Sequence, residues 1–103
     1  MVVWSIPAKL DLKQIHDYIA RDSKFYAKKV SAEITEKSET LNAFPEIGRI
    51  VPEIGSPNIR ELLIYSYRLV YEICTDQVAV LALIHSKRNF IRDLLDEQRH
   101  APH

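Results

Sequence analysis

Four basic side chains lie at or just beyond the ends of apolar, strand-like segments in the second half of the chain. They are Arg60, Arg68, His85 and Arg88. A ribonuclease that uses no metal must remove a proton from a 2′-hydroxyl, stabilise charge on the phosphate and protonate the leaving oxygen. A histidine and several arginines supply those groups, and Glu46 or Glu53 adds a carboxylate. The residue types therefore fit metal-free RNA cleavage, provided that the fold brings them together.

Each of these residues also has a structural interpretation. Arg60 could form an ion pair with Glu61, its neighbour in the chain, across the sheet. Arg88 could pair with Asp93, and His85 could be a hydrogen-bonding histidine that only supports the fold. The sequence leaves these alternatives open.

The first half of the chain predicts a short strand at residues 2–4 and two amphipathic helices. Apolar residues recur at helical spacing over residues 8–19 and again over residues 27–41, where Ser38 takes one core position. A short polar interruption at residues 22–23 separates the two helices. We therefore expect an antiparallel helical hairpin.

The second half of the chain has a different pattern. Residues 45–58 hold three of the five prolines and both glycines, so we expect an irregular connector there. Residues 59–64, 67–74 and 78–84 are rich in strand-forming side chains. Residues 89–97 resemble a short final helix.

The order β-α-α-β-β-β-(α) predicts one α+β domain over residues 1–103. A helical hairpin and a sheet of three to four strands each have an apolar face to bury, so we expect a two-layer fold with the hairpin on a small, mainly antiparallel sheet. Antiparallel pairing brings Arg68 and His85 to one end of that sheet. A shared active surface requires both, with Arg60, on the face away from the helices. The strand register decides this, and the sequence does not fix it.

The overall composition limits the classes of function. The chain carries 14 basic and 14 acidic residues, whereas a dedicated nucleic-acid binder usually has a basic excess, so only a local basic face stays open. The single cysteine, Cys74, is expected to be a buried core thiol. No zinc-type cluster is visible, so we expect no metal and no cofactor. The longest apolar run, residues 78–84, is too short for a membrane helix, and no signal-peptide pattern is visible, so we expect a cytoplasmic protein.

Five short motifs follow one another in a characteristic order. They are A-x-x-D-L-x-x-I-x-x-Y-I at residues 8–19, L-N-A-F-P-E-I-G-R-I-V-P at 41–52, I-R-E-L-L at 59–63, Y-R-L-V-Y-E-I at 67–73 and V-A-V-L-A-L-I-H-S-K-R at 78–88. In this order and spacing, the chain resembles the RelE/ParE toxin superfamily over nearly its whole length. The H-S-K-R ending is more similar to the ParE, or plasmid-stabilisation, branch than to the ribosome-directed branches.

The resemblance implies a growth-inhibiting toxin encoded beside a cognate antitoxin. Relatives similar to ParE poison DNA gyrase, whereas relatives similar to RelE cut mRNA on the ribosome. Because the chain is neutral and Arg49 is the only basic residue within residues 45–58, we favour gyrase as the target. Ribosome-dependent mRNA cleavage, which would make the chain a metal-independent endoribonuclease, is the alternative, and an inactive partner-binding member is a third.

The resemblance also implies an extended or helical antitoxin segment bound along apolar surface of the toxin. Leu10, Phe25 and Tyr26 lie outside the main apolar stripe of the predicted hairpin and are candidates for such contacts, or else ordinary core or rim residues. The assembly stays open between a homodimer and a toxin–antitoxin hetero-oligomer.

Overall fold

The computed structural model describes residues 1–86, which form two helices and five strands. In chain order these are β1 (Val2–Trp4), α1 (Ile6–Ala20), α2 (Lys24–Glu39), a 3₁₀ turn (Thr40–Asn42), β2 (Arg49–Ile50), β3 (Ile59–Ile64), β4 (Tyr67–Ile73) and β5 (Val78–His85). The helical hairpin lies on one face of the sheet, so the predicted two-layer α+β fold is confirmed. The final helix expected at residues 89–97 lies outside the described residues.

The sheet has five strands in the order β1-β5-β4-β3-β2. β1 runs parallel to β5, and the other three pairs are antiparallel. The expectation that the connector is wholly irregular is wrong. Arg49 and Ile50 pair with Glu61 and Arg60 of β3 and form the short strand β2. Two residues are too few to show the alternation of polar and apolar side chains that marks a strand in sequence.

The junction between β1 and α1 holds the middle of β5 in place. Ser5 caps α1 by accepting a hydrogen bond from the amide of Ala8 (3.2 Å), and its hydroxyl donates to the carbonyl of Leu81 (3.1 Å). Asp11, in the next turn of α1, accepts a hydrogen bond from the amide of Leu83 (3.0 Å). Because β1 ends at Trp4, these side chains supply the hydrogen-bond partners for the backbone of β5 beyond the end of β1.

The main core lies between the hairpin and the sheet. Its buried side chains include Val30 and Ile34 of α2 and Leu69 and Tyr71 of β4. Ser38 is also fully buried, as predicted. Its hydroxyl accepts a hydrogen bond from the indole of Trp4 (3.3 Å) and donates to the carbonyl of Thr35 (2.7 Å), which removes the penalty for burying a polar group.

A second, smaller core lies on the opposite face of the sheet. Val51 and Ile54 of the connector pack there against Val70 of β4 and Ile84 of β5. The connector therefore covers part of the face that was expected to be open. This cover determines the surroundings of the candidate site.

The expectation that Cys74 is a buried core thiol is wrong. β4 ends at Ile73, so Cys74 falls in the turn before β5 and is exposed. Its amide donates to the carbonyl of Gln77 (2.8 Å), which closes that turn. As a separate observation, neither helix within residues 1–86 has the length and apolarity needed to cross a membrane.

Candidate functional site

The strand register separates Arg68 from His85. Tyr67 pairs with His85 and Arg68 pairs with Ile84, so the two basic residues do reach the same end of the sheet. Neighbouring residues of a strand point to opposite faces, however. His85 lies on the helix side, edge-on to the ring of Tyr67 with 6.0 Å between the ring centroids, whereas Arg68 lies on the far side.

Arg60 lies away from both of them. It pairs with Tyr71 on the helix side of the sheet. Arg68 pairs with Leu63, so Arg60 lies three residues, or about 10 Å, farther along β3. Its guanidinium donates to the carbonyls of Pro57 (3.0 Å), Gly48 (3.0 Å) and Glu46 (3.5 Å). Arg60 therefore ties the two ends of the connector to the sheet.

The expectation of one outward surface shared by Arg60, Arg68 and His85 is therefore wrong. Two of these side chains lie on one face of the sheet and the third on the other. Arg88 lies outside the described residues. Among residues 1–86, no three His, Cys, Asp or Glu side chains come together in a way that could hold a metal ion.

Arg68 is held between two carboxylates on the far face. Its Nη1 and Nη2 donate to the two oxygens of Glu53 (2.7 and 2.8 Å), a bidentate pair. Its Nε and Nη2 also donate to the two oxygens of Glu61. The Arg68 side chain is 6% exposed and that of Glu61 is fully buried. The hydrogen bonds that Arg68 donates to Glu53, and then those it donates to Glu61, raise the pKa of Arg68 further above its ordinary value.

A second arginine completes this group. The Nε of Arg49 donates to Glu61 (3.0 Å), although the Arg49 side chain is 61% exposed. We call Arg49, Glu53, Glu61 and Arg68 the charge cluster. It contains two positive and two negative side chains, so it has no net charge. Because Arg49 and Glu53 belong to the connector and the other two belong to β3 and β4, the cluster fastens the connector to the sheet.

Tyr71 and Gly48 fix the start of the connector. The Tyr71 hydroxyl donates to the carbonyl of Pro45 (2.6 Å) and accepts from the amide of Gly48 (3.0 Å). A Cβ on Gly48 would lie 2.6 Å from both the Glu61 carbonyl oxygen and that hydroxyl, so only glycine fits. Burial raises the pKa of Tyr71, which keeps its hydroxyl protonated as a donor.

On the helix side of the sheet, the end that holds the β3–β4 turn carries exposed aromatic side chains instead of paired charges. Tyr18 of α1, Phe25 and Tyr26 of α2, and Tyr65 of the β3–β4 turn are between 46% and 79% exposed, and we call these four residues the aromatic tip. Tyr67 lies close beneath. Its pKa is raised by burial and then by the nearby Tyr18 and Tyr26.

Two charged residues organise the aromatic tip. The Tyr65 hydroxyl donates to Glu33, and this hydrogen bond raises the pKa of Tyr65 to about 12. The guanidinium of Arg21 lies 5.8 Å from the centroid of the Tyr18 ring, within the range of a cation–π contact. Phe25 and Tyr26 are exposed, as is Leu10, which is 54% exposed elsewhere on α1, so none of the three is a core residue.

Comparisons with known proteins bear on the whole chain. Residues 2–90 match the family model described as the ParE toxin of the type II toxin–antitoxin system parDE. The chain is also 28% identical over 88 residues to Toxin RelE2 of Caulobacter vibrioides, which covers 84% of this chain and 96% of that protein.

Two solved structures share the fold. One comes from the chromosomal ParDE toxin–antitoxin system of P. aeruginosa, with a TM-score of 0.70 and 20% identity over 84% of this chain and 95% of that chain. The other is the isolated E. coli RelE toxin, with a TM-score of 0.62 and 15% identity over 96% of this chain and 97% of that chain. At these identities the two structures support the architecture and not a particular activity.

Proposed function

Because this chain belongs to the ParE toxin family of type II toxin–antitoxin systems, we propose that it arrests growth by acting on DNA gyrase in the cytoplasm. The superfamily indicated by the five sequence motifs is confirmed by the family match over residues 2–90. A toxin of this family has an antitoxin as its partner, and we propose that the cognate antitoxin holds this one inactive.

The main support for gyrase over mRNA as the target is that Arg68 is buried and paired with carboxylates. An RNA-cleaving site needs cations that can bind a phosphate as its charge develops. Arg68 is instead buried and bound to both Glu53 and Glu61, so a phosphate would have to displace a carboxylate to reach it. The neutral charge of the chain as a whole supports the same choice.

Ribosome-dependent mRNA cleavage is the second candidate, because the similarity to Toxin RelE2 extends over 96% of that protein. In this function Arg60, Arg68, His85 and Arg88 keep the catalytic roles expected from the sequence. It requires the connector to leave the far face, so that Glu53 releases Arg68. It also requires His85 to act from the opposite face of the sheet.

Induced expression of the chain without its antitoxin tests the proposal. We expect growth arrest with intact mRNA, accumulating DNA breaks and, with purified proteins, inhibition of gyrase supercoiling. The variant His85→Gln should be as toxic as the parent chain, whereas Lys37→Gln, an exposed change on α2, serves as the matched control.

Other outcomes of the same experiment would contradict the proposal. Transcripts cut only in the presence of ribosomes, with cutting abolished by His85→Gln, would establish the second candidate instead. Normal growth of cells that accumulate folded, antitoxin-binding protein would identify an inactive partner-binding member of the family.

A further inference from the structure

The aromatic tip coincides with the most basic stretch of the helical hairpin. Residues 18–29 contain four basic side chains and one acidic side chain, in a chain whose formal net charge is zero. The basic residues are Arg21, Lys24, Lys28 and Lys29, and all four are exposed. A local positive field therefore surrounds the exposed rings.

None of these four rings belongs to the buried core of residues 1–86. The buried stripe of α2 consists of Ala27, Val30, Ile34 and Ser38, and Phe25 precedes it on the solvent side with 79% of its surface exposed. A single exposed apolar residue is ordinary. Four exposed aromatic side chains at one end, three of them tyrosines, match the composition of protein-binding surfaces.

We propose that the aromatic tip is the surface that contacts the toxin's protein target, and that the target presents an acidic face with apolar side chains there. The inference rests on the proposed function only in taking the target to be a protein. Phe25 and Tyr26 supply the apolar anchors, and the surrounding lysines supply attraction and orientation.

The charges at the tip favour a protein over a nucleic acid. Arg21 already lies over the ring of Tyr18, and Glu33 binds Tyr65, so stacked bases would meet an occupied ring and their phosphates a carboxylate. The same charges exclude a second copy of this chain docked tip to tip, because two surfaces of the same positive sign repel each other.

The position of the tip favours the target over the antitoxin. Other exposed apolar residues, Ile6 and Leu10 on α1 and Phe44 and Ile47 in the connector, lie toward the opposite end of the hairpin. The 16 residues of α2 span about 24 Å, so Ile6, Phe44 and Ile47 are separated from the tip by about the length of a helix, whereas Leu10 lies about 12 Å along α1 from Tyr18. Phe44 and Ile47 also line a surface depression, which suits an antitoxin segment better than a protruding tip does.

Two double variants test the tip, one for each part of its chemistry. Phe25→Ser with Tyr26→Ser removes the anchors, and Lys24→Glu with Lys28→Glu reverses the local charge. The matched controls are Leu10→Ser, an exposed apolar residue away from the tip, and Lys37→Glu at the far end of α2. Each protein is assayed for inhibition of purified gyrase holoenzyme, binding of its purified cognate antitoxin, thermal unfolding and growth arrest in cells.

We expect each tip variant to need at least about tenfold more protein for half-inhibition of gyrase, since anchor residues of an interface commonly contribute that much. Antitoxin binding and the unfolding temperature should stay at the parent values, and the controls should inhibit within about twofold of the parent chain. Inhibition by the charge-reversed variant should also become less sensitive to salt.

The possible failures are distinguishable. If the parent chain inhibits gyrase and the tip variants inhibit equally, the tip inference is overturned while the proposed function stands. If the parent chain leaves gyrase unaffected, the proposed function fails, and loss of growth arrest in the tip variants still supports a target contact there. Loss of antitoxin binding with growth arrest retained, binding of the tip to DNA alone, or a parent chain that arrests no growth would each overturn the inference.

Discussion

The charge cluster contains an arginine, Arg68, and the aromatic tip has one beside it, Arg21, but the two arginines serve different purposes. In the charge cluster, Arg68 is buried between two carboxylates and holds the connector against the sheet. At the aromatic tip, Arg21 is exposed and lies over an exposed tyrosine ring. Burial and partners, and not the identity of the residue, decide whether an arginine in this fold stabilises the structure or remains available to another molecule.

The far face of the sheet differs from the aromatic tip in how its charges and apolar side chains are covered. In the charge cluster, Arg49 and Arg68 are bound by Glu53 and Glu61, and the connector packs on the apolar part of that face. Within the described residues 1–86, no comparable segment covers the aromatic tip, whose four rings are at least 46% exposed. Changes in the two regions should therefore separate stability from toxicity.

The largest effect is expected for Arg68→Leu. Removing the arginine leaves Glu61 buried, with the exposed Arg49 as its remaining ion-pair partner within residues 1–86. Breaking a buried ion pair in this way costs about 3 to 5 kcal/mol of the free energy of unfolding. Urea unfolding followed by circular dichroism measures this loss. The antitoxin should still bind whatever folded protein remains.

Arg49→Leu is the matched control within the same cluster. Arg49 also pairs with Glu61, but its side chain is 61% exposed, so the change should cost no more than about 1 kcal/mol. Loss of toxicity in Arg68→Leu at an unchanged free energy of unfolding would place Arg68 in the function and break the comparison.

A smaller loss is expected for Tyr71→Phe. The change deletes the hydroxyl that donates to the carbonyl of Pro45 and accepts from the amide of Gly48, and it leaves both groups without that partner. An unsatisfied buried group costs about 1 to 3 kcal/mol. Amide hydrogen exchange should show faster exchange at Gly48, with little change in β5. Equal acceleration throughout the sheet would contradict a local role.

Most of the architecture could be predicted from the sequence because it depends on periodic apolar patterns. The two helices and the strands β3, β4 and β5 carry such patterns, and their boundaries agree with the structure within a few residues. The strand β2 could not be predicted, because a two-residue strand has no period to detect. The sequence also places Cys74 wrongly, because nothing in the apolar run of residues 67–74 indicates that the strand ends at Ile73.

The candidate site was harder to predict because it depends on pairing between distant strands. Whether Arg68 and His85 share a face is set by one residue of register, which no local pattern specifies. Glu53 could be proposed as a carboxylate for the site, but not as the partner that neutralises Arg68. Glu61 and Asp11 do stand in the I-R-E-L-L and A-x-x-D-L motifs, yet their partners, Arg68 and the Leu83 amide, become visible only in three dimensions.

At the aromatic tip the effect on stability should nearly vanish. Phe25→Ser removes an exposed ring from the first turn of α2, so the free energy of unfolding should change by no more than about 0.5 kcal/mol. The same urea titration used for Arg68→Leu measures it. A loss above about 1 kcal/mol would show that the ring packs on the protein, which would weaken the contrast between the two regions.

The smallest effect is a shift in one titration. The hydrogen bond to Glu33 raises the pKa of Tyr65 from 10.0 to about 12, so the folded protein favours the protonated hydroxyl. The stabilisation from this contact is therefore complete below pH 10 and is lost as the pH rises toward 12. Glu33→Gln removes the negative acceptor, and the pKa of Tyr65 should fall back toward 10.

Ultraviolet difference absorbance of tyrosinate measures this titration, with Tyr65→Phe to identify the contribution of Tyr65. The pKa of Tyr67 and Tyr71 is also raised, but by burial first, so Glu33→Gln should leave their part of the curve in place. A curve unchanged by Glu33→Gln would mean that Tyr65 is not tied to α2 in solution. No hydrogen bond would then hold Tyr65 of the β3–β4 turn to α2, and the proposed target contact would depend on the tip residues of the helical hairpin.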